Sequence, residues 1–410
     1  MERKIVTTIS NPVTPSAPHF LRLFLTMSII TGVSNGIAKV AMPLFATALN
    51  APAWQMGLVG GLQFVGTIVL SLPVGAWVDR HGGLPLFRMG CIAAFMLFLF
   101  GFTQVMTSWQ LIIAVLVMGL INPFRMVPTQ AEFLHQLPRM GLFKAGWQRA
   151  SHTMGMFFIG PLVGALLIST LGFSNTFRLV AVGFLVVLLL GRCVFEPIPS
   201  RRSVEAVPFK QRLRSQWSLV RSHRSLRHTM AIEFAGQMSM TYFTIFVLLI
   251  GIRTFQMDTE IAATLVSTNG GLFVFTLLLG GIFVKNVPRQ AVYALAFLLM
   301  CLAHFMVCLA HSTSLLWVAA AFLGLGHGLQ HLTSVELFAQ LTQQLGRGRI
   351  SGLTSLTGPM GNLIGAIGGG FAVQYFGLLA GFRILFLIYL VLFTLFIVNL
   401  ANHKPASDDL

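Results

Sequence analysis

Long apolar stretches recur along the whole chain, separated by short polar turns. A helix needs roughly 20 apolar residues to cross about 30 Å of hydrocarbon, because each residue adds about 1.5 Å to its length. The pattern predicts twelve such helices, called spans one to twelve in chain order: 19–47, 54–77, 84–105, 109–133, 149–170, 178–195, 230–252, 262–284, 289–310, 314–338, 350–373 and 380–401. The expected fold is therefore an all-α integral membrane protein.

The second half of the chain repeats features of the first half. Glycines and a Phe-Arg pair within residues 160–178 reappear within residues 365–383, at a constant offset of 365 − 160 = 205 positions. The matched pairs are Gly160/Gly365, Gly164/Gly369, Gly172/Gly377, Phe177/Phe382 and Arg178/Arg383. This repeat predicts two pseudo-symmetric six-helix bundles, over 1–195 and 230–410, joined by a linker over 196–229. Such a design suggests a transporter with a site between its halves.

Composition agrees with a chain that lies in a bilayer. Hydrophobic residues make up 55% of it and charged residues only 9%, and the mean hydropathy is +0.81; an average soluble domain has about 25% charged residues. The four cysteines have no zinc-like spacing. There is also no nucleotide-binding motif and no nucleophile-and-base set. We therefore expect neither an enzyme, nor a cofactor, nor a metal site.

The net charge of +16 is distributed asymmetrically, which argues against a nucleic-acid partner. Basic residues are concentrated in the linker and in alternate short loops, among them Arg80, Arg88, Arg139, Lys144, Lys285, Arg289, Arg347 and Arg349. By the positive-inside rule, these loops and both termini are expected to be cytoplasmic. The expected location is a cell membrane, the inner membrane of a bacterium.

The linker contains a candidate lipid-binding helix at 209–221. Phe209, Leu213, Trp217 and Val220 recur there at helical spacing, and basic residues lie off that stripe. This pattern predicts an amphipathic helix that lies on the inner leaflet and binds anionic lipid. The alternative is an irregular basic linker that only fixes the orientation.

The turn between spans two and three has the sequence GAWVDRHG at residues 75–82. It resembles the signature loop of the major facilitator superfamily, and Gly75, Asp79, Arg80 and Gly82 match that loop position by position. The basic pair that usually follows falls on Leu84 and Pro85, a departure from the pattern. The resemblance implies alternating access, with these four residues in the conformational gate. We expect Gly75 to allow close helix contact, Gly82 to form a tight turn, and Asp79 to cap a helix or pair with a cation.

Span five contains Gly160, Pro161 and Gly164, which resemble the core of the motif carried there by antiporters of the same superfamily. The upstream glycines of the fuller pattern fall on His152 and Met156. The resemblance favours export and adds these three residues to the expected gate. A Gly-Pro pair is also an ordinary packing and kinking device in a membrane helix.

The resemblance further implies that spans one, four, seven and ten line a central cavity. Polar residues do recur on one face of each of these spans. The candidate substrate-binding residues are Asn35, Lys39, Asn122, Arg125, Gln237 and Gln330.

Arg125 is the strongest of these candidates, because a charge within hydrocarbon is costly and by default marks a pathway or a pair. A guanidinium group can anchor a substrate carboxylate or phosphate. The alternative is a structural pair with Glu132, two helical turns away. Glu132 itself is expected near the cytoplasmic end of span four, within the gate. Lys39 is expected either to contact an anion or to extend to the outer surface.

Three residues are candidates for proton coupling: Glu233, His327 and His331. A low-dielectric cavity favours the neutral form of a carboxyl group, so Glu233 suits proton uptake. The alternative is a permanent partner of a neighbouring cation. His327 and His331 stand one helical turn apart and suit proton exchange, a hydrogen-bonding role in the cavity, or a metal. Two lone histidines are weak evidence for a metal, and none is expected.

Together these features indicate a monomeric secondary active transporter that exports a small organic solute in exchange for protons. The cations Lys39 and Arg125 favour an anionic or zwitterionic solute, such as a carboxylate metabolite, a drug or a siderophore. Two alternatives stay open: a proton-coupled importer, and a membrane sensor that kept the fold without transport. The expected partners are the solute, protons and membrane lipids.

Overall fold

The computed structural model describes residues 17–140, 145–195, 218–284, 286–345 and 347–402, which are almost entirely helical. No β-strand occurs within these ranges. Positions 209–217 of the predicted lipid-binding helix lie outside the described residues, and helix covers 218–222.

The helices follow the predicted spans. Span one corresponds to Ala17–Ala48, and span two to Ala53–Leu62 with Val65–His81. Span three corresponds to Gly83–Met96 extended by Leu97–Gly101 and Phe102–Gln104, and span four to Ser108–Met140. Spans five and six together correspond to the series Ala145–Met154, Gly155–Ile159 and Gly160–Val194. Spans seven to twelve correspond to Arg224–Leu249 extended by Ile250–Thr254, Thr259–Val284, Arg289–Cys308, Thr313–Leu345, Arg347–Phe376 and Ala380–Asn402.

Among the described residues, ten helices are long and apolar enough to cross a membrane. One of them, Ala150–Val194, is 45 residues long and contains both span five and span six. Span eleven, the 30-residue helix Arg347–Phe376, is long enough but rich in glycine and polar residues. Counting Ala150–Val194 as two spans and adding span eleven to the ten helices gives the twelve predicted spans.

Two local predictions are tested by the backbone, and only the one for span two needs correction. The first is borne out: the break that the sequence places between spans five and six at 171–177 lies at Gly172, whose φ of 73° and ψ of 173° are non-helical and kink the chain between two helices. A single glycine suffices because it adopts positive φ without steric cost. Span two, expected as one helix, is interrupted at Gln63 and Phe64. The Gln63 Nε2 atom donates to the Gly60 carbonyl oxygen at 2.8 Å, so a side chain satisfies a backbone acceptor beside the interruption.

The sequence repeat is also a structural repeat. Gly172 and its counterpart Gly377 both have positive φ, 73° and 86°. A Cβ atom on Gly164 would lie 3.0 Å from the Ile37 Cα atom, and one on Gly369 would meet the ring of Tyr242. Ile37 and Tyr242 are themselves related by the offset, since 37 + 205 = 242. The two halves therefore place the same glycines in the same helix contacts.

The two halves meet along spans five and eight, where a Cβ atom on Gly270 would meet the Phe157 carbonyl oxygen, and along spans two and eleven near one end of the molecule. We call the end that carries Arg80, Arg88 and Arg289 the basic end, and the other end the opposite end. In the part of spans two and eleven nearer the opposite end, a Cβ atom on Gly57 would lie 2.6 Å from the Ala366 carbonyl oxygen. One on Gly370 would lie 2.8 Å from the Gly57 Cα atom. Glycines thus let the backbones of the two halves touch there.

Candidate functional site

Arg125 is the centre of a polar cluster in the N-terminal half. Its side chain is buried, and its Nη2 atom donates to Asn122 Oδ1 at 3.1 Å and to Asn35 Oδ1 at 3.5 Å. Its Cζ atom lies 4.1 Å from the centroid of the Phe184 ring. Asn122 precedes Arg125 by one turn of span four, whereas Asn35 comes from span one. The structure thus brings together three of the predicted substrate-binding residues.

Two donors of Arg125 are left over. The Nε and Nη1 atoms are buried and have no hydrogen-bond partner among the described residues. The predicted alternative, a structural pair with Glu132, is not formed. Glu132 Oε1 instead accepts from Gln136 Nε2 at 3.3 Å, further along the same helix. An unpaired buried donor costs about 1–3 kcal/mol. These two free donors are therefore suited to acceptors from outside the protein.

Lys39 lies inside the bundle and does not extend to the surface. The residue is only 8% exposed, and its Nζ atom lies 3.9 Å from the centroid of the Phe157 ring on span five. A cation over an aromatic face is attracted by the ring quadrupole, which partly replaces the lost hydration. The alternative in which Lys39 reaches the outer surface is wrong for this arrangement of the helices.

In the C-terminal half, Glu233 and His331 join spans seven and ten. His331 Nδ1 donates to Glu233 Oε1 at 2.8 Å, and both side chains are 8% exposed. Gln237 Nε2 donates to the same carboxylate oxygen at 3.0 Å. Gln330 Nε2 donates to the Ile232 carbonyl oxygen at 2.8 Å and fixes span ten against span seven at this level. Four predicted site residues therefore lie within one cluster.

His327 belongs to a different hydrogen-bond chain, which also contains residues that the sequence did not single out. His327 Nε2 lies 3.2 Å from Ser239 Oγ, and Ser239 Oγ lies 3.1 Å from His304 Nε2. His304 was missed because it is an isolated histidine on span nine, a helix that the resemblance does not place at the cavity. Within the described residues, no group of three His, Cys, Asp or Glu side chains could hold a metal ion.

The signature loop behaves only partly as expected. Gly82 has φ 82°, and its amide donates to the Val78 carbonyl oxygen at 2.9 Å, which gives the expected tight turn. A Cβ atom on Gly75 would meet only Val127 Cγ1, at 3.9 Å, so the expected close contact is absent here. Asp79 and Arg80 are both exposed, and neither has an ion pair within the described residues. The loop is therefore disengaged in this arrangement.

The glycines of span five pack against span one. A Cβ atom on Gly160 would lie 2.6 Å from the Gly36 Cα atom. The π-helical turn Gly155–Ile159 ends two residues before Pro161, with Gly160 between them. A proline has no N–H to donate, and a wider turn before it accommodates that loss. The geometry agrees with a packing and kinking role of this motif and does not test its role in exchange.

Comparison with known families places the chain. The model of the Major Facilitator Superfamily matches residues 24–290 and, in a second match, residues 234–409. The chain belongs to the major facilitator superfamily. It is a multi-pass membrane protein and a membrane transporter of this type.

Individual relatives are more distant. A Salmonella arizonae protein, "Multidrug resistance protein MdtG", is 27% identical over 187 residues, which cover 42% of this chain and 44% of that protein. Among solved structures, the nucleoside transporter NupG superposes with a TM-score of 0.73 at 12% identity, covering 94% of this chain and 100% of that one. A bacterial homologue of the lysosomal transporter Spinster, solved in an inward-facing and unoccupied conformation, gives a TM-score of 0.74 at 12% identity over 96% of this chain and 100% of that one. At this identity the structural likeness concerns the fold.

Proposed function

We propose that this superfamily member is a proton-coupled exporter of a small organic solute that carries an acidic group. The buried contact between Glu233 and His331, 2.8 Å long, is the single observation that carries the coupling. A carboxylate and an imidazole in contact inside apolar helices can take up one proton together and change the charge of the cavity wall.

The solute class follows from Arg125. Its buried Nε and Nη1 atoms have no partner among the described residues, and each can donate a charge-assisted hydrogen bond to an oxygen of a carboxylate or phosphate. Asn35 and Asn122 hold the remaining nitrogen and so fix the orientation of the guanidinium plane. An anion bound there would offset the buried positive charge, which no carboxylate of the described residues does.

Transport then requires the proton and the solute to bias the same conformational change. Alternating access would expose the two clusters first to one side of the membrane and then to the other, as the N- and C-terminal halves rock against each other. Protonation of the Glu233–His331 pair changes the charge that the solute meets. The likeness to a multidrug resistance protein and the Gly160-Pro161 motif favour export over import.

The substitution Glu233→Gln tests the coupling, because a glutamine keeps the shape of the protonated acid and cannot release a proton. Solute content is compared inside and outside cells with and without the protein, and the solute so found is assayed in vesicles. We expect Glu233→Gln to abolish accumulation driven by a proton gradient and to retain counterflow exchange. Binding should lose its pH dependence between about pH 5 and 9.

The matched control is Glu336→Gln. Glu336 also lies on span ten, but its side chain is 61% exposed and pairs with Arg289 at 3.5 Å. An exposed pair contributes about 0–1 kcal/mol, so this variant should transport normally. Gradient-driven transport that survives in Glu233→Gln would show that the coupling proton binds elsewhere. A reversed gradient response in the unaltered protein would identify an importer.

A further inference from the structure

A chain of three buried side chains crosses the C-terminal half beside the Glu233–His331 pair. His304 Nδ1 lies 2.6 Å from the Met300 carbonyl oxygen, and His304 Nε2 lies 3.1 Å from Ser239 Oγ. Ser239 Oγ in turn lies 3.2 Å from His327 Nε2. His304, Ser239 and His327 are 1%, 0% and 3% exposed, so water competes with none of these bonds.

The direction of every hydrogen bond in this chain follows from its first acceptor. A carbonyl oxygen can only accept, so His304 must carry its hydrogen on Nδ1. A neutral imidazole has only one such hydrogen, so His304 Nε2 accepts from the Ser239 hydroxyl. Ser239 has then used its hydrogen and accepts from His327 Nε2–H. His327 Nδ1 is consequently a bare acceptor, and it is buried without a partner among the described residues.

Both histidines of the chain are in surroundings that favour the neutral form. His304 contacts Ser239, the Met300 carbonyl and the rings of Phe382 and Tyr389, at centroid distances of 6.1 and 5.4 Å. No carboxylate of the described residues is hydrogen-bonded to it. A buried charge without a paired ion is strongly disfavoured.

The titratable groups around His327 lead to the same conclusion. They are Lys39 on span one, Glu233 on span seven, His304 on span nine and His331 on its own helix. Three of these four are basic. The single carboxylate already accepts from His331 and Gln237. A proton that enters this region is therefore better placed on His331 than on His327.

We propose that Ser239 and His304 are positioning residues that hold His327 in the Nε2–H tautomer, so that its Nδ1 atom is a fixed hydrogen-bond acceptor. The ligand group it takes is an N–H or O–H of the transported solute, and this part of the proposal rests on the proposed function. Proton uptake belongs to His331 and Glu233. The assignment separates two histidines that the sequence groups together, one as a proton carrier and one as a specificity-determining residue.

Nuclear magnetic resonance of the full-length protein with ¹⁵N-labelled histidine tests the tautomer without any solute. The His327 signals are assigned by the His327→Phe variant. We expect His327 to show a single neutral Nε2–H tautomer throughout the range from about pH 5 to 9. In Ser239→Ala and in His304→Phe, His327 should become a mixture of both tautomers. A His327 that takes up a proton in this range, or that keeps one tautomer in Ser239→Ala, would overturn the proposal.

The solute identified by the cell comparison supplies a second, independent readout. Its affinity is measured beside that of an analogue in which the N–H or O–H group is methylated. The unaltered protein should bind the methylated analogue about tenfold more weakly, and His327→Phe should bind the two equally, since one hydrogen bond is worth about 1 kcal/mol or somewhat more. Equal affinities in the unaltered protein would contradict the acceptor role. Because the tautomer measurement needs no transport, failure of the proposed function would leave it interpretable.

Discussion

Two buried charged residues in this molecule have opposite hydrogen-bond environments. Glu233 accepts from both His331 and Gln237 on one oxygen. Arg125 uses one nitrogen on two asparagines and leaves two others without a partner among the described residues. A residue that only stabilised the fold would be expected to have its donors satisfied, as most buried polar groups do. The unsatisfied Nε and Nη1 donors are therefore the residue-scale feature that most directly indicates a ligand.

The substitution Arg125→Lys is expected to weaken binding of the anionic solute. A lysine retains the charge but loses the separate Nε and Nη1 donors and the contact with Phe184, so affinity for the anionic solute should fall about 10- to 100-fold, corresponding to a charge-assisted hydrogen bond of about 1.5–3 kcal/mol. Arg125→Ala should weaken binding further. Arg88→Lys, at an exposed position of the basic end, serves as the control and should bind normally. Equilibrium binding and thermal unfolding are measured together; lower stability with unchanged affinity would contradict the anchoring role.

At the scale of helices, glycines determine where the spans touch. Gly160 lies where span five meets the backbone of span one, whereas a Cβ atom on Gly368 of span eleven would meet nothing within 4 Å. Gly160→Ala should therefore lower the free energy of unfolding by about 1–3 kcal/mol through overpacking. Gly368→Ala should be neutral or stabilising by up to about 1 kcal/mol, because alanine favours helix.

Thermal unfolding of the two purified variants, each compared with the unaltered protein, measures the difference. A Gly160→Ala protein as stable as Gly368→Ala would show that spans one and five can separate at no cost. The motif of Gly160, Pro161 and Gly164 would then have to be explained by the exchange mechanism and not by packing.

The same scale shows what the sequence can and cannot predict. Span positions and the repeat are predictable, because bilayer thickness fixes the helix length and the offset of 205 aligns glycines such as Gly172 and Gly377. The contact between Glu233 and His331 is not, because it depends on how spans seven and ten are rotated against each other. Periodicity gives the face of each helix but not its partner. The role of His304 is not predictable from the sequence for the same reason, since only the packing of span nine brings it to Ser239.

At the scale of the whole molecule, the distribution of basic residues predicts the orientation in the membrane. A reporter that is active only in the cytoplasm should work when fused at Arg214 or after Leu410, and should fail when fused near Ala51. The three positions are tested in chains that are expressed to the same level. Activity at Ala51 would reverse the assignment of the basic end to the cytoplasm.

The contact between the halves at the opposite end predicts how the transport cycle can be biased. A leucine at position 57 cannot fit this arrangement, because a Cβ atom there already lies 2.6 Å from the Ala366 carbonyl oxygen and 2.9 Å from the Gly370 Cα atom. Gly57→Leu should therefore destabilise the arrangement in which the halves meet at the opposite end. An overpacking cost of about 1–3 kcal/mol would shift the conformational equilibrium roughly 10- to 100-fold.

Thiol labelling in intact cells measures this shift. Ile245 is 2% exposed and packs against Gly60 near the same contact, so Ile245→Cys, in a chain whose four native cysteines are replaced by alanine, reports opening. A membrane-impermeant reagent outside the cells should label it about tenfold faster when Gly57→Leu is added. Gly281→Leu is the matched control, because a Cβ atom on Gly281 would meet nothing within 4 Å. If the protein stays folded and labelling is equal with and without Gly57→Leu, the contact between spans two and eleven does not hold the halves together. Faster labelling would connect a single glycine contact to the alternation on which transport depends.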